Sequence, residues 1–219
     1  MKLLFIFHVA ICALAVDIIQ VDVGNSVSYT GRLNMRKNSY VHPSNHGTDM
    51  ARSLKNQLDL LNSKPVDAEQ ITWQPGPQFK VPLLAALHES LTRSVKVLSL
   101  SYGGIIVLEE EKAILEEFAN RDVIMVAAAG NAGGGRLFYP ANYKNNCILS
   151  VGTLFNGVRA PFSNDADSWL EYVRGDAVGT SASAARMAGI VLQIRRHNPK
   201  MNCADVVLTA KMLYGRIQR

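Results

Sequence analysis

Gly179-Thr180-Ser181-Ala182-Ser183-Ala184-Ala185-Arg186-Met187-Ala188-Gly189, running on as Ile190-Val191-Leu192-Gln193-Ile194, is nearly free of charge and rich in small residues before it turns aliphatic. Small side chains at 182, 184, 185, 188 and 189 let a helix pack against neighbours on almost every side, which marks a buried central helix. Gly179 and Thr180 stand at its entrance, where turn and cap chemistry belongs. Ser181 then falls in the first turn, beside unpaired backbone N–H groups and the positive end of the helix dipole. A hydroxyl there has donors ready for a negative oxygen. Alone, the stretch fits a helix-cap serine as well as a nucleophile.

Working outward, apolar runs and helical periodicity alternate. Val16 to Val23 is an apolar strand ending at Gly24. His46 to Leu61 repeats Met50, Leu54, Leu58 and Leu61 on one helical face, and Val81 to Arg93 does so with Leu84, Leu87 and Leu91. Val95 to Ser101 is a strand closed by Gly103-Gly104, and Leu108 to Asn120 is a helix with Glu109, Glu110 and Glu111 at its start. Val123 to Ala129 and Cys147 to Leu154 are near-continuous apolar strands, whereas Asn62 to Phe79 reads as irregular. Strands apolar on both faces, separated by helices, predict a doubly wound, mainly parallel α/β sheet covered by helices on both faces.

The chain has 219 residues, 48% of them hydrophobic, enough for one sizeable core. A net charge of +5, scattered except for Arg195-Arg196 and the Lys211 to Arg219 tail, predicts no nucleic-acid partner. Lys2, the apolar run Leu3 to Ala13 and the small residues of Ala13-Leu14-Ala15 read as an export signal, too short for a stable membrane span. Residues 1–15 are thus expected to be a signal peptide and 16–219 a single secreted or periplasmic domain. Removing the signal leaves Cys147 and Cys203, whose pairing the sequence leaves open.

In such sheets chemistry sits at the carboxyl ends of the strands. Asp22 leaves an apolar strand there and can orient an imidazole or simply cap a turn, while Asp17 lies at the strand's start. His46 opens a helix next to Gly47, a suitable place for a general base. His42 precedes a proline, His88 is mid-helix and His197 ends the last long helix. Asn131 follows Gly130 where a buried strand breaks, and reads as a turn residue or an amide aimed at a developing oxyanion. The glycines 133 to 135 match neither the dinucleotide fingerprint nor the Walker pattern.

Acid at 22, histidine at 46 and serine at 181 follow the triad order of subtilisin. The α/β-hydrolase order fails, because Ser183 stands where that pattern needs glycine and the one later His precedes the one later Asp. Asp22-Val23-Gly24, His46-Gly47-Thr48, Ser99-Leu100-Ser101-Tyr102-Gly103-Gly104, Ala128-Ala129-Gly130-Asn131, Tyr139-Pro140-Ala141 with Ser150-Val151-Gly152, Phe162-Ser163-Asn164 and Gly179-Thr180-Ser181 resemble, in family order, the landmarks of the subtilisin-like serine proteases, the subtilases. The resemblance spans about Val16 to Leu213.

It implies a serine endopeptidase working through an acyl-enzyme, with Ser181 as nucleophile, His46 as base and acid, Asp22 as orienting acid and Asn131 as oxyanion donor. It also implies that Leu100, Ser101, Tyr102 and Gly103 pair with an extended peptide or protein substrate by strand addition. A monomer without cofactor is expected. Structural calcium is not demanded: Asn164-Asp165-Ala166-Asp167-Ser168 offers oxygens but lacks the glycine and terminal Glu of a known loop.

Several positions depart from the family pattern. Val23 stands in place of Thr or Ser, Asp49 sits where the first helix is usually uncharged, and Ala185 replaces a proline. The stretch Asp165 to Val178 is short, and no inhibitory pro-segment fits between the expected signal and the first strand. The different-class alternative is therefore a catalytically idle subtilase fold used as a binding module.

Overall fold

The computed structural model describes residues 15–23, 33–38, 45–73, 78–174 and 176–215. In chain order they form β1 (Ala15–Val23), β2 (Leu33–Asn38), α1 (His46–Leu60), β3 (Val66–Trp73), α2 (Lys80–Leu91), β4 (Ser94–Leu100) and α3 (Glu109–Asn120). Then come β5 (Ile124–Ala128), β6 (Ile148–Phe155), β7 (Val158–Arg159), β8 (Ser168–Glu171), α4 (Thr180–His197) and α5 (Cys203–Tyr214).

The strands share one sheet in the order β2-β3-β1-β4-β5-β6-β7, with β8 also on β6. Every pairing is parallel except β6 with β7. β2 leads through α1 to β3, and β4 leads through α3 to β5, both steps running the same way along the sheet. Same-direction crossovers of one hand would put both helices on one face, so α1 and α3, which lie on opposite faces, are carried by crossovers of opposite hand. The result is a doubly wound α/β sheet covered on both sides, with α1 and α4 packed together and α2 against α3. Where the winding reverses, between β1 and β4, such sheets leave a crevice at the carboxyl ends of the strands. Val21 is level with Leu100, and Leu100 with Ala127, so Asp22, Ser101 and the turn after Ala128 all emerge at this edge.

Small residues let α4 lie at the centre. Ala184, Ala185 and Ala188 are completely buried, and Ala182 nearly so. At Gly189 a Cβ would stand 3.2 Å from Leu54 Cδ1 and 3.3 Å from Leu58 Cδ2, so glycine is what lets α1 approach. Met50, Leu54 and Leu58 are the buried stripe of α1, each stabilising the fold by roughly 1.5–3 kcal/mol through its burial.

The stretch read as irregular contains β3, and β2 precedes it unforeseen. None of the stretch's three prolines, at 65, 75 and 77, falls within β3, and Pro65 stands just before its first residue, where it costs no ladder hydrogen bond. Its alternation is masked because polar Glu69 and Gln70 are buried. Glu69 makes a two-armed bond to Arg93, both contacts at 3.0 Å. The short stretch after Asp165 supplies β8 alongside β6. The expected signal lies outside the described residues as far as 14, and Ala15, its expected last residue, already opens β1.

Cys147 and Cys203 form a disulfide across a Cα–Cα distance of 5.1 Å, joining the start of β6 to the start of α5. Among the described residues no helix is long and apolar enough to cross a membrane.

Candidate active site

β1 delivers Asp22, fully buried, to the crevice, and α1 begins with His46 directly over it. Asp22 Oδ1 lies 2.6 Å from His46 Nδ1, while the His46 side chain keeps a third of its surface exposed. The ring thus turns one nitrogen to the buried acid. Burial works against the imidazolium, but the hydrogen bond and charge of Asp22, with the charge of Asp49, outweigh it and raise the His46 pKa. Asp49, unusual in the sequence, therefore acts on the histidine while pairing with Arg52 at 2.9 Å. Two glutamines pin this end of α1 to the sheet. Gln70 donates to Gly47 O at 2.8 Å and Gln20 to Met50 O at 3.3 Å.

Gly179 caps α4 with φ +138°, a value that favours glycine, and Ser181 follows in the first turn. Asn131 holds this entrance from across the sheet edge. Its Oδ1 accepts from Thr180 N at 3.0 Å and from Thr180 Oγ1 at 3.1 Å, and Thr180 Oγ1 in turn accepts from Gly130 N at 3.1 Å. With Oδ1 so engaged, the amide's Nδ2 donors are left for another acceptor. Asn164 braces the same turn, accepting from Ala132 N at 3.1 Å and donating to Ala129 O at 2.9 Å.

Ser101 joins the two halves. Its N–H donates to Val21 O at 3.4 Å, next to Asp22, and its hydroxyl donates to Ser181 O at 3.4 Å. Ser181 Oγ donates back to Ser101 O at 3.4 Å. Ser101, Tyr102, Gly103, Asn131 and Ser181 line one cleft of about 340 Å³. A second cavity of about 360 Å³ lies beyond Tyr102, walled by Trp73, Phe79, Leu83 and Ile106. Glu111 also lines it, and its carboxyl accepts from the Tyr102 and Tyr143 hydroxyls, each at 2.8 Å. Burial raises the Glu111 pKa against these two bonds.

Of the residues singled out in the sequence, Asp22 and His46 are in direct contact, and Ser101, Tyr102, Gly103, Asn131 and Ser181 share the cleft. Leu100 instead closes β4, fully buried between Val21 and Ala127. The rival groups are elsewhere: Asp17 binds Lys96 at 2.7 Å and Arg196 at 2.8 Å, His88 is exposed on α2, and His197 ends α4. In the oxygen-rich stretch, Asp165 pairs with Arg159, and Asp167 with Lys211 at 3.1 Å. Among the described residues no His, Cys, Asp or Glu cluster could hold a metal ion. Gln20 and Gln70 were not singled out. For Gln20 the signal was an amide between apolar neighbours Ile19 and Val21, since a buried amide must find partners, whereas Gln70 lay in the stretch read as irregular.

Comparison with known families matches residues 23–213 to the subtilase family. M-protease of Shouchella clausii is 27% identical over 185 residues, covering 74% of this chain and 47% of that protein. Subtilisin Savinase of Lederbergia lenta is also 27% identical, covering 74% of this chain and 66% of its own length. The chain thus spans about half the length of M-protease and less than two thirds of Savinase. Among solved structures, a cold adapted subtilisin-like serine proteinase superposes with TM-score 0.66 at 16% identity, covering 89% of this chain and 80% of that one. The prenylagaramide maturation protease PagA gives 0.65 at 18%, with coverages of 86% and 80%.

Proposed function

This chain belongs to the subtilase family, and from that premise we propose that it is a serine endopeptidase hydrolysing peptide or protein substrates through an acyl-enzyme. The observation that carries the reading is the 2.6 Å bond between His46 and fully buried Asp22, one strand away from the cleft that Ser181 and Asn131 share. Ser181 Oγ attacks the scissile carbonyl and gives its proton to His46 Nε2. Asp22 holds the ring's Nδ1 and stabilises the imidazolium. The carbonyl oxygen becomes an oxyanion that Asn131 Nδ2 and the Ser181 N–H receive at the start of α4. Collapse of this intermediate breaks the C–N bond, and the imidazolium protonates the leaving amine. Water, deprotonated by His46, then frees the acyl group and restores the serine. The steps call for no cofactor.

The backbone of Ser101 to Gly103 offers an extended substrate an edge for strand addition, and the apolar cavity beyond Tyr102 offers its side chain a seat. The Cys147–Cys203 disulfide supports a setting outside the reducing cytoplasm.

Ser181→Ala tests the reading. Turnover of a peptide substrate should fall by about a millionfold, the loss seen when a subtilisin loses its nucleophile, with the circular dichroism spectrum unchanged. Activity within tenfold of the parent would overturn the assignment.

A further inference from the structure

Beneath the cleft lies a charged residue that the mechanism does not use. Arg186 sits further along α4 from Ser181 and is only 8% exposed. An arginine is rarely buried so deeply unless it is paired. Its Nε donates to Gln57 Oε1 of α1 at 3.0 Å, and its Nη1 to Glu171 O at the end of β8 at 2.6 Å. Its Nε also stands 3.7 Å from Asp176 Oδ2, in a side chain only 3% exposed. Asp176 Oδ1 accepts from Asn56 of α1 at 2.8 Å, while Oδ2 makes no hydrogen bond among the described residues.

These contacts converge on three parts that must keep their spacing for catalysis. α1 carries His46 at its head, and α4 carries Ser181. Asp176 begins the segment that leads through Gly179 into Ser181. Within that segment only Ala177 reaches the core, while Val178 is 64% exposed, and the segment ends in a glycine of positive φ. Apolar contact at Gly189 fixes how closely α1 and α4 approach, but non-directional packing leaves sliding and rotation less defined. A planar guanidinium held by an amide, a backbone carbonyl and a carboxylate does define them.

We propose that Arg186 is a positioning residue for the serine-peptidase site, locking the Ser181 helix, the segment that enters it and the His46 helix into one register. The proposal rests on the peptidase reading above. Its consequence is kinetic, because a misplacement of about 1 Å between reacting groups can cost on the order of a hundredfold.

The test uses the full chain and three variants: Arg186→Met, Arg186→Lys and Arg186→Met/Asp176→Asn. Each is assayed well below its melting temperature, for kcat and KM on a peptide and for the rate of fluorophosphonate labelling at Ser181. Arg186→Met should lower kcat and the labelling rate together by about ten- to a hundredfold, with KM changed less than threefold. Removing the carboxylate charge in the double variant should relieve the unpaired buried acid and raise the melting temperature above that of Arg186→Met. It should not restore kcat, because register, not charge balance, is lost. Arg186→Lys keeps the charge but not the fork, so it should fold and still lose about tenfold in kcat. It decides the matter if the methionine variant does not fold. Parental kcat and labelling in any folded variant would overturn the proposal and leave Arg186 a stabilising contact. If Ser181→Ala is itself as active as the parent, the peptidase reading fails and this inference falls with it. If Ser181→Ala is inactive and Arg186→Met is not impaired, only this inference fails.

Discussion

Asn131 braces the entrance of α4 with one end of its amide and is proposed to serve the oxyanion with the other, and two substitutions separate the two tasks. Its Oδ1 accepts from Thr180 N and Oγ1 at 3.0 and 3.1 Å, which fixes the entrance of α4. Its Nδ2 is the donor proposed for the oxyanion. Asn131→Leu removes both ends and leaves the N–H of fully buried Thr180 without its acceptor, at about 1–3 kcal/mol. For a chain of this size that is a melting-temperature drop of roughly 2–12 °C. Asn131→Asp keeps the acceptor and places a carboxylate at a helix N-terminus, which is worth about 0.3–1 kcal/mol in favour of the fold. Its melting temperature should therefore match or exceed the parent's. Both variants lack the donor, so both should lose about 10²–10³ in kcat, about 2.7–4 kcal/mol of barrier, as when such a donor is removed from subtilisin. KM should change little. Scanning fluorimetry and steady-state kinetics on a chromogenic peptide give both readings. An Asn131→Asp variant with kcat within tenfold of the parent would refute the oxyanion role and leave Asn131 as a turn brace.

If His46 is the base, its raised pKa should set the acid limb of kcat/KM above the ordinary imidazole value of 6.5. Asp49→Asn should move that limb down, and by less than loss of the Asp22 contact would, since Asp49 is partly exposed and its charge is screened; a rate profile in pH checks this. Because the folded-state pKa is raised, the His46–Asp22 pairing adds stability that is fully present below the unfolded value and is lost as pH rises through the folded one. Urea titrations of the parent and His46→Ala at mildly acidic and alkaline pH should differ more at the acidic end. Replacing Cys147 and Cys203 by alanine opens a loop with a sequence separation of 56 and should lower unfolding free energy by about 4 kcal/mol. That bridge lies at the amino end of β6, away from the catalytic edge, so kcat below the melting transition should hold.

What the sequence revealed depended on how locally each role is encoded. The small-residue run around Ser181 and the apolar runs of β1, β5 and β6 announced themselves because burial on all sides leaves room for few polar side chains, each held by a specific partner or role. The Asp22, His46 and Asn131 positions were legible once strand ends were placed, since doubly wound sheets concentrate chemistry there. β3 escaped because Glu69 and Gln70, buried for their bonds to Arg93 and Gly47, erase the alternation that marks a strand. Arg186 read as one charge in an apolar helix; its role depends on Gln57, Glu171 and Asp176, brought together only by the tertiary fold. The cysteine pairing was likewise open until β6 and α5 were in place.

The central claim is that Ser181 is a nucleophile activated by His46 and Asp22. Labelling the folded chain with a fluorophosphonate and mapping the adduct by peptide mass spectrometry tests it most directly. One adduct per molecule, on Ser181, lost in Ser181→Ala and strongly slowed in His46→Ala, is the predicted result. A folded chain that takes no label at Ser181, or takes it equally fast without His46, would contradict the claim and favour a subtilase fold that binds without cutting.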